Sequence, residues 1–174
     1  MKLEELVKNL LEEKDYDNQK EIFKQILKEL NNLDHIYVGL SDKKVVEDDS
    51  ARKPAGYEYD GKTVISIFSQ FEYAKDWALH YNRSIGIVSK ENDFNLLYIM
   101  ANMYGIEYIS LNEGTDIEIA LKLNNFIEEN NMKPKYLFKN ISDSEDGSNV
   151  KLDFNLIEKL DLNTYKPENK EELS

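Results

Sequence analysis

The chain has 174 residues and a mass of 20.4 kDa, room for one ordinary domain and hardly for two. Its 34 acidic residues against 22 basic ones leave a formal charge of −12, and Arg52 and Arg83 are its only arginines. That balance argues against a nucleic-acid partner, which proteins hold by neutralising phosphates, and the absence of cysteine excludes disulfides, thiolate nucleophiles and zinc–thiolate sites.

Leu3, Leu6, Val7, Leu10 and Leu11 recur at helical spacing and predict a short amphipathic helix. Lys14 to Asp17 reads as a turn. Asn18 with Glu21 three residues on forms a capping-box pattern, opening a second helix to about Asn32 with Ile22, Phe23, Ile26, Leu27 and Leu30 on its buried face. His35 to Leu40 is rich in β-formers and predicts a strand. A charged stretch from Ser41 to Pro54 follows, holding Glu47, Asp48 and Asp49.

Asp60-Gly61 lies between β-formers and signals a hairpin, because both turn positions need positive φ. Ser69 with Glu72 is a second capping box, which opens a third helix facing inward with Phe71, Ala74, Trp77 (or Ala78) and Tyr81. Ile85 to Val88 reads as a strand. Asn92 or Asp93 then caps a helix through Phe94, Leu97, Met100 and Ala101 that stops at Gly105. Ile106 to Leu111 predicts a further strand, and Asn112-Glu113-Gly114 turns the chain. Thr115 with Glu118 is a third capping box, for a helix to about Asn131 carrying Ile119, Leu123 and Phe126 on one side.

Beyond it, Lys135 to Phe138 suits a strand and Asp143 to Asn149 an acidic loop. Val150, Leu152, Phe154 and Leu156 alternate as a strand does, while Ile157 and Leu160 fit a helical turn better. The expected organisation is an α/β (or α+β) domain over residues 1–131, a small mixed β-sheet flanked by helices with an N-terminal helix pair. Residues 132–162 form an extension packing on it, and 163–174 a frayed polar tail.

Three segments resemble the N-terminal domain of the SseB family, enhanced serine sensitivity protein B. They are the helix with Phe23 and Leu27 running into Ile36-Tyr37-Val38-Gly39-Leu40, the run Gly61 to Ser69 followed by Ala74 and Trp77, and Gly105 to Gly114. Glu113 stands where that family has proline, and the second domain of longer members has at most residues 132–174 to occupy. The resemblance covers about residues 5 to 130. It implies a compact α/β domain with no assigned reaction that recruits other proteins.

No residue cluster amounts to a catalytic signature. His35 and His80 are the only histidines and sit in no metal-binding pair, although His80 suits a helix C-terminus. With Gly147 at position six of a calcium loop, Ser142, Ser144 and Asp153 fall where strong ligands belong, so the EF-hand pattern fails. There is no phosphate-binding glycine loop. No cofactor and no metal are expected. Phe68 and Trp77, with Phe71, read either as core or as a recognition patch. Asn112, Gly114 and Thr115 read either as turn geometry or as an anion-binding strand-to-helix turn.

The longest strongly apolar run, Leu96 to Ala101, is far short of a membrane span, and carboxylates at Glu4 and Glu5 interrupt any signal-like start. The expectation is a cytoplasmic, non-catalytic interaction domain without a membrane partner. Its candidate contacts are Glu47, Asp48, Asp49, Phe68, Trp77, Asn112, Gly114 and Thr115, and its acidity points to a basic protein partner, as in an immunity protein masking a toxin. The alternative is a small-molecule or anion-binding protein or enzyme using the Asn112–Thr115 turn.

Overall fold

A computed structural model describes residues 2–43, 54–90, 94, 97, 101, 105–132 and 157–167. Among these the chain forms four helices and a mixed seven-stranded sheet, an α/β fold opened by a helix pair. In α1 (Lys2–Glu12) the apolar stripe lies inward, with Leu3 and Val7 buried and Leu11 left exposed. Helix α2 (Tyr16–Asn32) starts earlier than expected. Asp15, not Asn18, is its N-cap, and its carboxylate accepts from the N–H groups of Asp17 at 2.9 Å and Asn18 at 3.4 Å. Ile26, Leu27 and Leu30 are buried as predicted.

Strand β1 (His35–Lys43) is central. It pairs antiparallel with β3 (Lys62–Phe68) through Tyr37 and Val38, and with β4 (Arg83–Ser89) along most of its length. Strand β2 (Gly56–Tyr59) joins β3 in the predicted hairpin, whose turn residues Asp60 and Gly61 have φ of 52° and 75°. Strand β5 (Tyr108–Leu111) lies parallel to β3, and β6 (Ile119–Lys122) antiparallel to β5. At the far edge β7 (Glu158–Lys159) pairs with β4. The order across the sheet is β6-β5-β3-β1-β4-β7, with β2 on β3 beside β1.

Alternation along the strands divides their side chains between two cores. Ile36, Val38, Leu40, Ile65, Ile67, Ile109, Leu111 and Leu121 face α1, α2 and α4 (Leu123–Glu129). On the other face Tyr37, Phe68 and Ile85 pack under α3 (Phe71–Tyr81), with its Phe71, Ala74, Trp77 and Ala78. Gly39 lies on this second face, and the Trp77 ring occupies the space where a side chain would stand.

Several expectations are corrected. Ser69 does not cap α3: Gln70 holds that position without a side-chain cap bond, and Gln70 Nε2 instead donates to Glu4 Oε1. Tyr81 points to solvent rather than inward. The helix predicted from Thr115 to about Asn131 begins only at Leu123, because Ile119 and Leu121 are buried while Ala120 and Lys122 are exposed, the two-residue alternation of a strand paired with β5. The helical turn expected at Ile157 to Leu160 is likewise strand, at Glu158–Lys159. Residues 163–167, placed in a frayed tail, are ordered around Tyr165, whose ring lies 4.9 Å from Phe71 and whose hydroxyl is 3.0 Å from that of Tyr37.

In the helix expected from Asn92, Leu97 and Ala101 are helical, Phe94 and Leu97 are buried, and Gly105 has a φ of 68°. Its remaining residues, the loop 44–53 and the segments expected over 135–156 lie outside the described residues.

Candidate functional site

The residues singled out by sequence do not form one exposed site. Glu47, Asp48 and Asp49 lie outside the described residues. Phe68 and Trp77 are core, their rings 5.7 Å apart beneath α3. Asn112 is fully buried at a φ of 58° and works as an internal clasp. Its Oδ1 accepts from Ser69 N at 2.9 Å, its Nδ2 donates to Ser69 Oγ at 2.9 Å, and its backbone N donates to Ile67 O at 2.9 Å. Ser69 is therefore spent on tying the end of β3 to the turn after β5, which is why it caps no helix.

Gly114 and Thr115 continue that turn but lead into β6, so the strand-to-helix anion site has no helix N-terminus behind it. Several of the turn's donors are also occupied. Gly114 N donates to Glu118 Oε2, Thr115 N to Asn112 O and Ile117 N to Thr115 Oγ1. An anion there would meet Glu113, Asp116 and Glu118.

The sheet itself offers a different site. Facing residues of neighbouring strands share a side of the sheet, and Tyr57, Val64, Tyr108 and Lys122 stand opposite one another across β2, β3, β5 and β6. Tyr59 and Lys62 form the next pair toward the hairpin tip, and Ser66, Ser110 and Ala120 the next row inward. This is the face that α3 covers over β1, β4 and the end of β3. Over β2, β5 and β6 it holds an open groove of about 470 Å³, lined among others by Tyr57, Tyr59, Lys62, Tyr108, Ser110 and Glu118. Tyr59 is 73% exposed and Tyr57 38%.

The groove is electrostatically mixed. Lys62 Nζ sits 5.0 Å from the centre of the Tyr108 ring and 3.3 Å from its hydroxyl, and that hydrogen bond raises the lysine's pKa. Partial burial raises the pKa of the Tyr57 hydroxyl; the nearby carboxylates of Glu113 and Glu118 add to the rise, and a hydrogen bond with Ser110 opposes it. Glu113 is held in place by Ser66, whose hydroxyl donates to its Oε2 at 2.7 Å. Among the described residues no cation forms an ion pair with Glu113 or Glu118. Tyr81, exposed at the end of α3, adds a further hydroxyl near Tyr57.

Among the described residues no group of three or more histidine or acidic side chains is placed to hold a metal ion. His35 Nε2 lies 3.0 Å from the Tyr37 hydroxyl, and His80 meets the Tyr81 ring edge-on in the last turn of α3, the place expected for it. No helix among the described residues is long and apolar enough to cross a membrane.

Sequence reasoning missed the groove tyrosines, although the signal for two of them was present. Once Asp60-Gly61 sets the hairpin register, Tyr57 and Tyr59 must fall on one face, opposite Val64 and Lys62. Compared with known proteins, the chain matches no family model and no curated protein.

Proposed function

We propose that this chain is a non-catalytic, cytoplasmic binding domain that takes a basic protein partner on the open half of its sheet. The observation that carries the reading is the groove of about 470 Å³, where three tyrosines are presented on a face that α3 leaves bare. Tyrosine gives a large, stiff contact surface with a polar tip, which suits it to the centre of an interface. The net charge of −12 supplies the complementary field for a basic partner.

Tyr57 and Lys62 both have raised pKa values and so keep their protons at neutral pH, which leaves neither as a general base. The three segments that resemble SseB N-terminal domains support the same reading of a recruiting domain without a reaction.

The test is capture from a lysate of the source cells at low and high salt, read by quantitative mass spectrometry, with the wild-type chain and a Tyr57→Ser/Tyr59→Ser variant side by side. A recovered protein is then purified and its binding measured directly. The expected result is a basic protein bound at low salt, released at high salt because the Debye length shrinks from about 10 Å to about 3 Å between 0.1 and 1 M, and lost with the variant. Equal binding to the folded variant, or no partner at either salt, overturns the proposal.

A further inference from the structure

The chemistry of the groove allows the partner's contacting group to be named, on the footing that the open face is the binding face. Two features of the groove converge. First, the protein already holds one cation of its own against a groove tyrosine: Lys62 lies over the Tyr108 ring and on its hydroxyl. Second, among the described residues the neighbouring tyrosine, Tyr57, has no such cation, while Glu118 lines the groove with it and Glu113 is bonded to Ser66, one row inward on the same face; both carboxylates help to raise the pKa of Tyr57, and neither has an ion-pair partner among the described residues. Both carboxylates are held by one oxygen, Glu113 Oε2 by Ser66 Oγ and Glu118 Oε2 by Gly114 N. Each therefore has its other oxygen to offer.

We infer that the corner formed by Tyr57, Glu113 and Glu118 is a subsite for an arginine side chain of the partner. A guanidinium is planar, so it stacks on a tyrosine ring while its fork of N–H donors reaches carboxylates from two directions. An ammonium is a compact, strongly hydrated charge and can satisfy only part of this arrangement.

The test uses the full chain and three small probes, N-acetyl-arginine amide, N-acetyl-lysine amide and the uncharged N-acetyl-citrulline amide, each titrated into isotopically labelled protein and followed by NMR. The arginine probe is expected to move the signals of residues 57, 113 and 118 at millimolar concentration. The lysine probe should bind more weakly and citrulline should leave these signals in place. Glu113→Gln/Glu118→Gln keeps both acceptor oxygens, and so the bonds from Ser66 and Gly114, and should weaken the arginine probe by roughly fivefold, the value of an exposed charge pair. Citrulline binding as well as arginine, or an unchanged affinity in the folded double variant, overturns the inference. Failure of the underlying reading looks different: a captured partner would then ignore Tyr57→Ser/Tyr59→Ser. A partner that needs the tyrosines but tolerates the loss of both carboxylates would keep the open-face reading and sink the arginine subsite alone.

Discussion

Gly39→Ala is the substitution that tests the packing on which the open groove depends. Gly39 has no unusual φ, so an alanine is acceptable to the backbone, and in a strand it would ordinarily gain about 0.5–1 kcal/mol over glycine. The space decides the sign. A methyl group at this position would meet three atoms of the Trp77 ring at 2.6, 2.8 and 3.0 Å, where carbons normally approach to about 3.5–4.0 Å. Trp77 cannot step aside easily, being buried against Phe68 at 5.7 Å and flanked by Tyr81 at 5.7 Å between ring centres. Overpacking of this kind costs about 1–3 kcal/mol. With three short contacts on a rigid ring we take the upper end and expect a net loss of about 2 kcal/mol. For a domain of this length that lowers Tm by about 4–8 °C. Urea unfolding followed by far-UV circular dichroism measures it, a signal that survives replacement of Trp77, the only tryptophan. The companion variant Trp77→Phe removes the obstructing ring, so the double mutant should be more stable than the sum of the two single losses predicts, by at least about 1 kcal/mol. A neutral or stabilising Gly39→Ala, or losses that simply add, would refute the packing argument.

Two further predictions concern the clasp and the helix interface. Asn112→Ala should cost about 3 kcal/mol by leaving Ser69 N without its acceptor and forcing alanine to a φ of 58°, whereas Asn112→Gly should recover about 1 kcal/mol of that by relieving the backbone alone; chemical denaturation of both variants decides it. Burial and the charge and hydrogen bond of Glu4 push Tyr73 from 10.0 up to about 12, so its contribution to stability is complete below pH 10 and is lost as pH rises through 12; Tm measured from pH 9 to 12 should fall less steeply in Tyr73→Phe, and an unchanged slope would refute the linkage.

The elements that the sequence made legible are those decided locally. The apolar stripe of α1, the hairpin at Asp60-Gly61 and the strand Ile36 to Leu40 each rest on residues within one or two turns of one another. Both corrected caps fail for a shared reason. Ser69 with Glu72 and Thr115 with Glu118 have the spacing of a capping box, but a short hydroxyl side chain bonds whatever backbone lies nearby, and turns use the same chemistry as helix starts. The deciding partner of Ser69 is Asn112, 43 residues away, and Thr115 Oγ1 donates to the carbonyl of that same asparagine at 2.7 Å. One buried asparagine thus takes up both hydroxyl residues, and for Ser69 no local window contains it. For α2 the error was smaller, since Asp15 and Asn18 are both good caps and only one turn apart.

The groove was harder to read because its position depends on what the second face lacks. Phe68 and Val64 sit four residues apart on the same side of the same strand, yet one is sealed under α3 and the other lines the groove. Their alternation with Ile65 and Ile67 shows which side each faces and says nothing of what lies over it. Width does. A sheet path six strands across spans about 24 Å at strand spacings near 4.8 Å, while a helix with its side chains is about 10–12 Å wide. One helix therefore covers about two spacings. α3 is committed to β1, β3 and β4, since Gly39 lets Trp77 lie directly on β1 and Phe71 is tied to Tyr37 and Tyr165. Helices α1, α2 and α4 are committed to the opposite face by Leu3, Val7, Ile26, Leu27 and Phe126. Beyond α3's reach the face then carries what an uncovered surface tolerates: Tyr57 and Tyr59, exposed on β2, and Tyr108 on β5 with Lys62, from the start of β3, laid along its ring. The composition of the open half-face follows from the width of the sheet, and the binding reading follows from that composition.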